Sequence, residues 1–127
     1  MATRKELRDS IKSIIETVYS GTVNTGRRLN YTGDTPPSEF VAVVIPEGNN
    51  EDEGVFSVTQ SRAVITIYKA GATDDELDAI ADPISDALRA NRPTGASGLV
   101  KTSFSYGDDE DKQYEKLHLI YSLIYQE

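Results

Sequence analysis

The sequence predicts an α+β domain: about four strands in a mostly antiparallel, mixed sheet, with two main helices on one face. Two amphipathic segments each open on a capping box, and two pairs of apolar runs are each joined by a polar, turn-rich stretch. These segments follow one another as helix, two strands, helix, two strands. That order favours helices packed together on one side of an antiparallel sheet.

The first helix is expected over Thr3 to Ser20. Leu7, Ile11, Ile14, Ile15 and Val18 recur at three- and four-residue spacing and so share one face. Thr3 with Glu6 forms its capping box, and Gly21 is a natural stop. From Thr22 to Glu39 the chain is polar, carries Gly26, Gly33, Pro36 and Pro37, and reads as a long loop. Phe40 to Ile45 is a nearly continuous apolar run, the mark of a strand covered on both faces, and Pro46 ends it. The acidic stretch Glu47 to Gly54 leads to a second strand, Ser61 to Lys69, so the pair forms an antiparallel hairpin with an extended tip.

Thr73 with Glu76 opens the second helix, whose apolar positions are Leu77, Ile80, Ala81, Ile84, Ala87 and Leu88. Pro83 either kinks one continuous helix or starts a new turn after Asp82; Pro93 and Gly95 close it. Strands at Leu99 to Tyr106 and Tyr114 to Tyr125 follow, joined by the acidic turn Gly107 to Asp111. In the last strand Leu117, Leu119, Tyr121, Leu123 and Tyr125 point one way, Ile120 and Ile124 the other. Two helices do not cover both sides of such a sheet, which leaves apolar surface for a partner subunit.

A chain of 127 residues suits one domain, taken as residues 1–127, and can hold a core without metal or disulfide staples. The absence of cysteine removes disulfides, thiolate metal sites and cysteine nucleophiles, and favours a cytosolic life. No run approaches the ~18–20 apolar residues of a membrane span. The start Met-Ala-Thr-Arg-Lys-Glu lacks the apolar stretch of a signal peptide. With 13 basic and 21 acidic residues the net charge is −8, which argues against a grip on nucleic acid. A protein that lies beside DNA without adhering to it has the same balance.

Little in the chain points to chemistry. His118, the only histidine, stands in mid-strand among apolar neighbours, where a packed or edge residue is expected rather than a base. No nucleophile elbow, phosphate-binding glycine loop or paired-histidine metal motif occurs. Of the seven tyrosines all but Tyr31 occupy strand and helix positions that packing or an interface explains. No enzyme activity and no cofactor are expected. Asp108, Asp109, Glu110 and Asp111 lack the alternating ligands and glycine of a calcium loop and read as a solvated hairpin tip. Asp74, Asp75 and Glu76 complement the helix dipole; Asp74 and Asp75 are also candidates for a subunit contact assisted by a divalent cation. Arg27 and Arg28 are candidates for pairing with a neighbouring subunit's carboxylates.

Several stretches together resemble the tail terminator proteins of lambda-like long-tailed bacteriophages, the minor tail protein U family. They are Glu6-Leu7-Arg8, Phe40-Val41-Ala42-Val43-Val44, Asp74-Asp75-Glu76-Leu77-Asp78-Ala79, Pro83 within its helix, Ser105-Tyr106-Gly107-Asp108-Asp109 and Leu119-Ile120-Tyr121-Ser122-Leu123-Ile124-Tyr125. The resemblance implies a structural virion protein at the head-proximal end of the tail, assembled in the host cytoplasm. It implies a six-membered ring on the tail tube protein that stops tube polymerisation and presents the surface for the head–tail connector. The segments Thr22 to Glu39 and Asn49 to Glu53 depart from the family, and no contact is carried over there. Acidic side chains facing the ring's channel would repel passing DNA, and Glu51, Asp52 and Glu53 are the candidates. The alternatives are a head–tail joining or tail-completion protein and, from another class, a small-molecule-binding regulatory domain.

Overall fold

The computed structural model describes residues 3–26, 37–53, 56–108 and 114–126. Its elements are α1 (Arg4–Glu16), β1 (Thr22–Thr25), β2 (Glu39–Glu53), β3 (Phe56–Lys69), α2 (Asp74–Ala90), β4 (Ala96–Asp108) and β5 (Glu115–Gln126). The strands form one five-stranded sheet in the order β1-β2-β3-β5-β4. Only β1 against β2 is parallel; the other three pairings are antiparallel. The fold is therefore the expected α+β class, with both expected hairpins and one more strand.

That extra strand lies inside the stretch read as a loop. Thr22–Thr25 pairs with Phe40 to Val43, burying Val23 and Asn24. Four residues with one apolar side chain carry no legible period, so pairing with β2 rather than local pattern makes this strand. The first helix is shorter than expected. Its last bonds tighten into three-residue turns, Thr17 N–H to Ile14 O and Val18 N–H to Ile15 O, and the Thr17 hydroxyl also bonds Ile14 O at 2.6 Å. Val18 consequently leaves the apolar face and is 45% exposed. At Gly21 a Cβ would fall 2.5 Å from the Tyr19 hydroxyl, so a larger residue there would have to displace that ring.

Pro46 does not end its strand. From Val44↔Val64 to Glu47↔Arg62 the register slips, so β2 carries one residue more than β3 across this step. A bulge is where a strand tolerates a residue without an N–H. Beyond it the ladder runs on to Glu53↔Phe56, so the acidic stretch is paired strand, and β3 begins at Phe56 rather than Ser61. Pro83 lies within one continuous helix that keeps its full capping box.

The core lies between the helices and one sheet face. Leu7, Ile11 and Ile15 of α1 and Leu77, Ala81, Ile84 and Leu88 of α2 meet Val41, Val43, Ala63, Ile65, Ile67 and the predicted row Leu117, Leu119, Tyr121, Leu123 and Tyr125. The expected division of β5 holds: these five are buried, whereas Ile120 and Ile124 on the opposite face are only partly so. α1 covers β1 and β2, and α2 covers β3, β5 and β4.

Candidate assembly surface

Two parts of the sheet are not covered by helices. The first is its second face, which carries a small aromatic cluster at the end where β2 starts and β3 finishes. Phe40 stacks on Tyr68 at 4.4 Å between ring centroids, and Tyr114 meets the two rings edge-on at 5.3 and 5.8 Å. The Tyr114 hydroxyl donates to Pro37 O at 2.7 Å, and the Lys116 ammonium lies 5.3 Å from the Tyr68 centroid. Beside the cluster Thr66 Oγ1 and His118 Nδ1 are 2.8 Å apart across paired strands. Burial, with a smaller effect of the Lys116 charge, holds the His118 pKa below its ordinary value. His118 is thus a neutral partner in a strand-to-strand bond, as expected of a packed histidine.

The second part is the β4 edge. Two bulges, at Ala96/Gly98 and Lys101/Ser103, interrupt its ladder with β5, a common device of sheet edges. After the second bulge Phe104 and Tyr106 turn to the helix side but extend past α2, leaving Phe104 60% and Tyr106 39% exposed; Val100 is 64% exposed. The two rings meet edge-on at 5.8 Å. The Tyr106 hydroxyl donates to Asp78 Oδ1, and that bond, with burial and the nearby carboxylates of Asp74 and Asp82, pushes its pKa up to about 12. Phe104, Tyr106, Lys101, Asp78, Ala81 and Asp82 line a shallow groove of about 200 Å³ between α2 and β4.

Lys69 bridges Glu76 of α2 at 3.2 Å and Glu39 of β2 at 3.6 Å, and Glu39 accepts from the Tyr19 hydroxyl at 2.9 Å. This chain of contacts fastens the turn after α1, the start of β2, the end of β3 and the start of α2. The bond from Lys69 holds the Glu76 carboxyl below its usual range, and the same bond raises the Lys69 pKa.

Of the sequence-predicted residues, Asp74 and Asp75 are exposed in the first turn of α2, with Asp74 on the groove side. The backbone of Glu51, Asp52 and Glu53 pairs with Val58, Ser57 and Phe56 at the far end of the first hairpin, a strand rather than a loop. Arg27 and Arg28, and the acidic tip from Asp109 to Asp111, lie outside the described residues. Among the described residues no three His, Asp or Glu side chains gather as a metal site, and no helix is long and apolar enough to cross a membrane. Phe104 and Asp78 escaped sequence reasoning. An alternation such as Ser103-Phe104-Ser105-Tyr106 is the same in an edge strand as in an interior one, and only the sheet order tells them apart.

A solved chain from the virion of a native gene transfer agent particle is similar in fold, with a TM-score of 0.81. The likeness covers 99% of this chain and 98% of that one at 13% sequence identity. No family model matches the sequence, and no curated protein matches it. At that identity the likeness is one of fold, extending over essentially the full length of both chains.

Proposed function

We propose that this chain is a structural subunit of a phage-type virion, and within it a ring-forming protein that caps the tail tube, stops its polymerisation and offers the head-attachment surface. The observation that carries this reading is the end-to-end fold likeness to a chain of a gene transfer agent virion. The family resemblance in the sequence supports the narrower role, as does the presence of an uncovered edge strand and sheet face suited to protein contacts. Its partners are then further copies of itself, six to a ring by the resemblance, together with the tail tube and connector proteins. It performs no bond chemistry and holds no cofactor, although a divalent cation can assist assembly at Asp74 and Asp75.

Complementation tests the role. Supplying the chain to a terminator-deficient phage whose tube and connector match it should restore tails of uniform length and infectious particles. Overlong tubes that persist despite stable, soluble expression would refute the terminator role. Normal tubes lacking heads that become whole on its addition to a joining-protein mutant would assign it to head–tail joining instead.

A further inference from the structure

We infer that two charged rows on opposite flanks of the helical layer, one basic on α1 and one acidic on α2, dock against each other between successive copies of this chain. The inference rests on the assembly role proposed above and assigns its contact.

On α1, Arg4, Arg8 and Lys12 repeat every four residues; on α2, Asp74, Asp78 and Asp82 do the same. In each helix the charged row follows the buried row by one residue: Leu7 then Arg8 and Ile11 then Lys12; Leu77 then Asp78 and Ala81 then Asp82. One residue is a turn of roughly 100° about the helix axis, so each charged row lies on one flank of its helix beside the core. The helices run in opposite directions. α1 is joined by a short turn to β1 and α2 by a short turn to β3, so each helix runs back along its strand. β1 is parallel to β2, which is antiparallel to β3. Equal offsets on oppositely directed helices face opposite ways. The Tyr106–Asp78 bond fixes the acidic row toward the β4 edge, which puts the basic row toward the β1 edge.

Neither row is ion-paired within the described chain, although the Asp9 carboxylate, bonded to Lys5, also feels the charges of Arg8 and Lys12. Among the described residues Arg4, Arg8 and Lys12 form no ion pair, and neither do Asp74 and Asp82, while Asp78 accepts only from the neutral Tyr106 hydroxyl. The acidic row borders the groove with its 60% exposed Phe104, so that flank offers an apolar contact rimmed by charge. A complementary surface of the same pitch exists on the other flank of an identical molecule. A contact between two different patches of one chain is heterologous: it propagates head to tail and closes into a ring where the rotation allows. A second copy is therefore the occupant that charge complementarity selects.

The test uses the full chain in two surface variants, Arg8→Glu/Lys12→Glu and Asp78→Lys/Asp82→Lys, followed by sedimentation over a concentration series with thermal melts to confirm folding. Wild-type protein should self-associate, and less so at high salt. Each variant alone sets like charge against like and should associate roughly tenfold or more weakly. An equimolar mixture should recover the wild-type behaviour, since the reversed flank of each variant then meets its complement on the other. Wild-type protein that stays monomeric throughout, variants that associate as it does, or a mixture without recovery would each overturn the inference and leave the groove to a different protein. Tail-length complementation is scored separately, so a failure of the virion role is distinguishable from a failure of this contact.

Discussion

Replacing Pro83 with alanine should stabilise the protein. Pro83 stands mid-way along a continuous α2, flanked by exposed Asp82 and buried Ile84, with its own ring exposed. Proline has no N–H to offer the carbonyl four residues back, here Ala79 O, and its ring crowds that carbonyl. Because the position faces solvent, water can take the vacant carbonyl, so the forfeited hydrogen bond is worth about 1 kcal/mol net. A full interior proline penalty is about 3 kcal/mol relative to alanine. Pro83→Ala should therefore gain about 2 kcal/mol, between those two bounds. For a chain of this size that corresponds to a rise in Tm of roughly 5–10 °C. Urea unfolding followed by circular dichroism measures it, with an unchanged slope confirming that the same surface is exposed. Unchanged or lower stability would refute the reasoning. It would mean that the bend imposed by Pro83 fits α2 to the sheet, and that straightening it lifts buried residues such as Ile84 and Leu88 out of the core.

Leu119, 1% exposed at the centre of β5, should cost about 2–5 kcal/mol on replacement by alanine, read from the urea midpoint. Thr73→Ala removes the hydroxyl that accepts the Glu76 N–H at 3.2 Å and should cost about 1 kcal/mol in the same assay. His118 has a folded pKa below its unfolded value, so the unfolded chain binds the extra proton first as pH falls. Its contribution to stability is complete above the ordinary histidine pKa of about 6.5 and drains away as pH drops below it. Tm measured from about pH 7.5 to 5 should fall less steeply in His118→Asn than in the wild type, and parallel slopes would remove His118 as the source.

What was legible in the sequence was whatever repeats along the chain. Leu7, Ile11 and Ile15 announce the buried side of α1, and the alternation from Leu117 to Tyr125 announces the buried side of β5, because both periods are written into consecutive residues. The capping boxes at Thr3 and Thr73 mark the helix starts for the same local reason. What was not legible depends on pairing. β1 has too few residues for a pattern, and the continuation of β2 through Pro46 depends on a bulge set by its register with β3. The candidate surface suffered most. Exposure of Phe104 follows from β4 being an edge, and its acidic border follows from where α2 lies over that edge. Neither is a property of either segment read alone.

The length of the first hairpin changes what its acidic end can do. β2 has 15 residues and α2 has 17. At strand and helix rises these amount to about 50 Å and about 25 Å. α2 therefore covers about half the length of the ribbon, starting from the end where β3 hands over to it. At the opposite end the backbone of Glu51, Asp52 and Glu53 stands in register with that of Val58, Ser57 and Phe56. If copies join through the two flanks of the helical layer, every ribbon in a closed ring occupies an equivalent position. Neutralising Glu51, Asp52 and Glu53 should then leave the sedimentation behaviour unchanged, because the contact is made on the flanks toward the β1 and β4 edges rather than at this ribbon's tip.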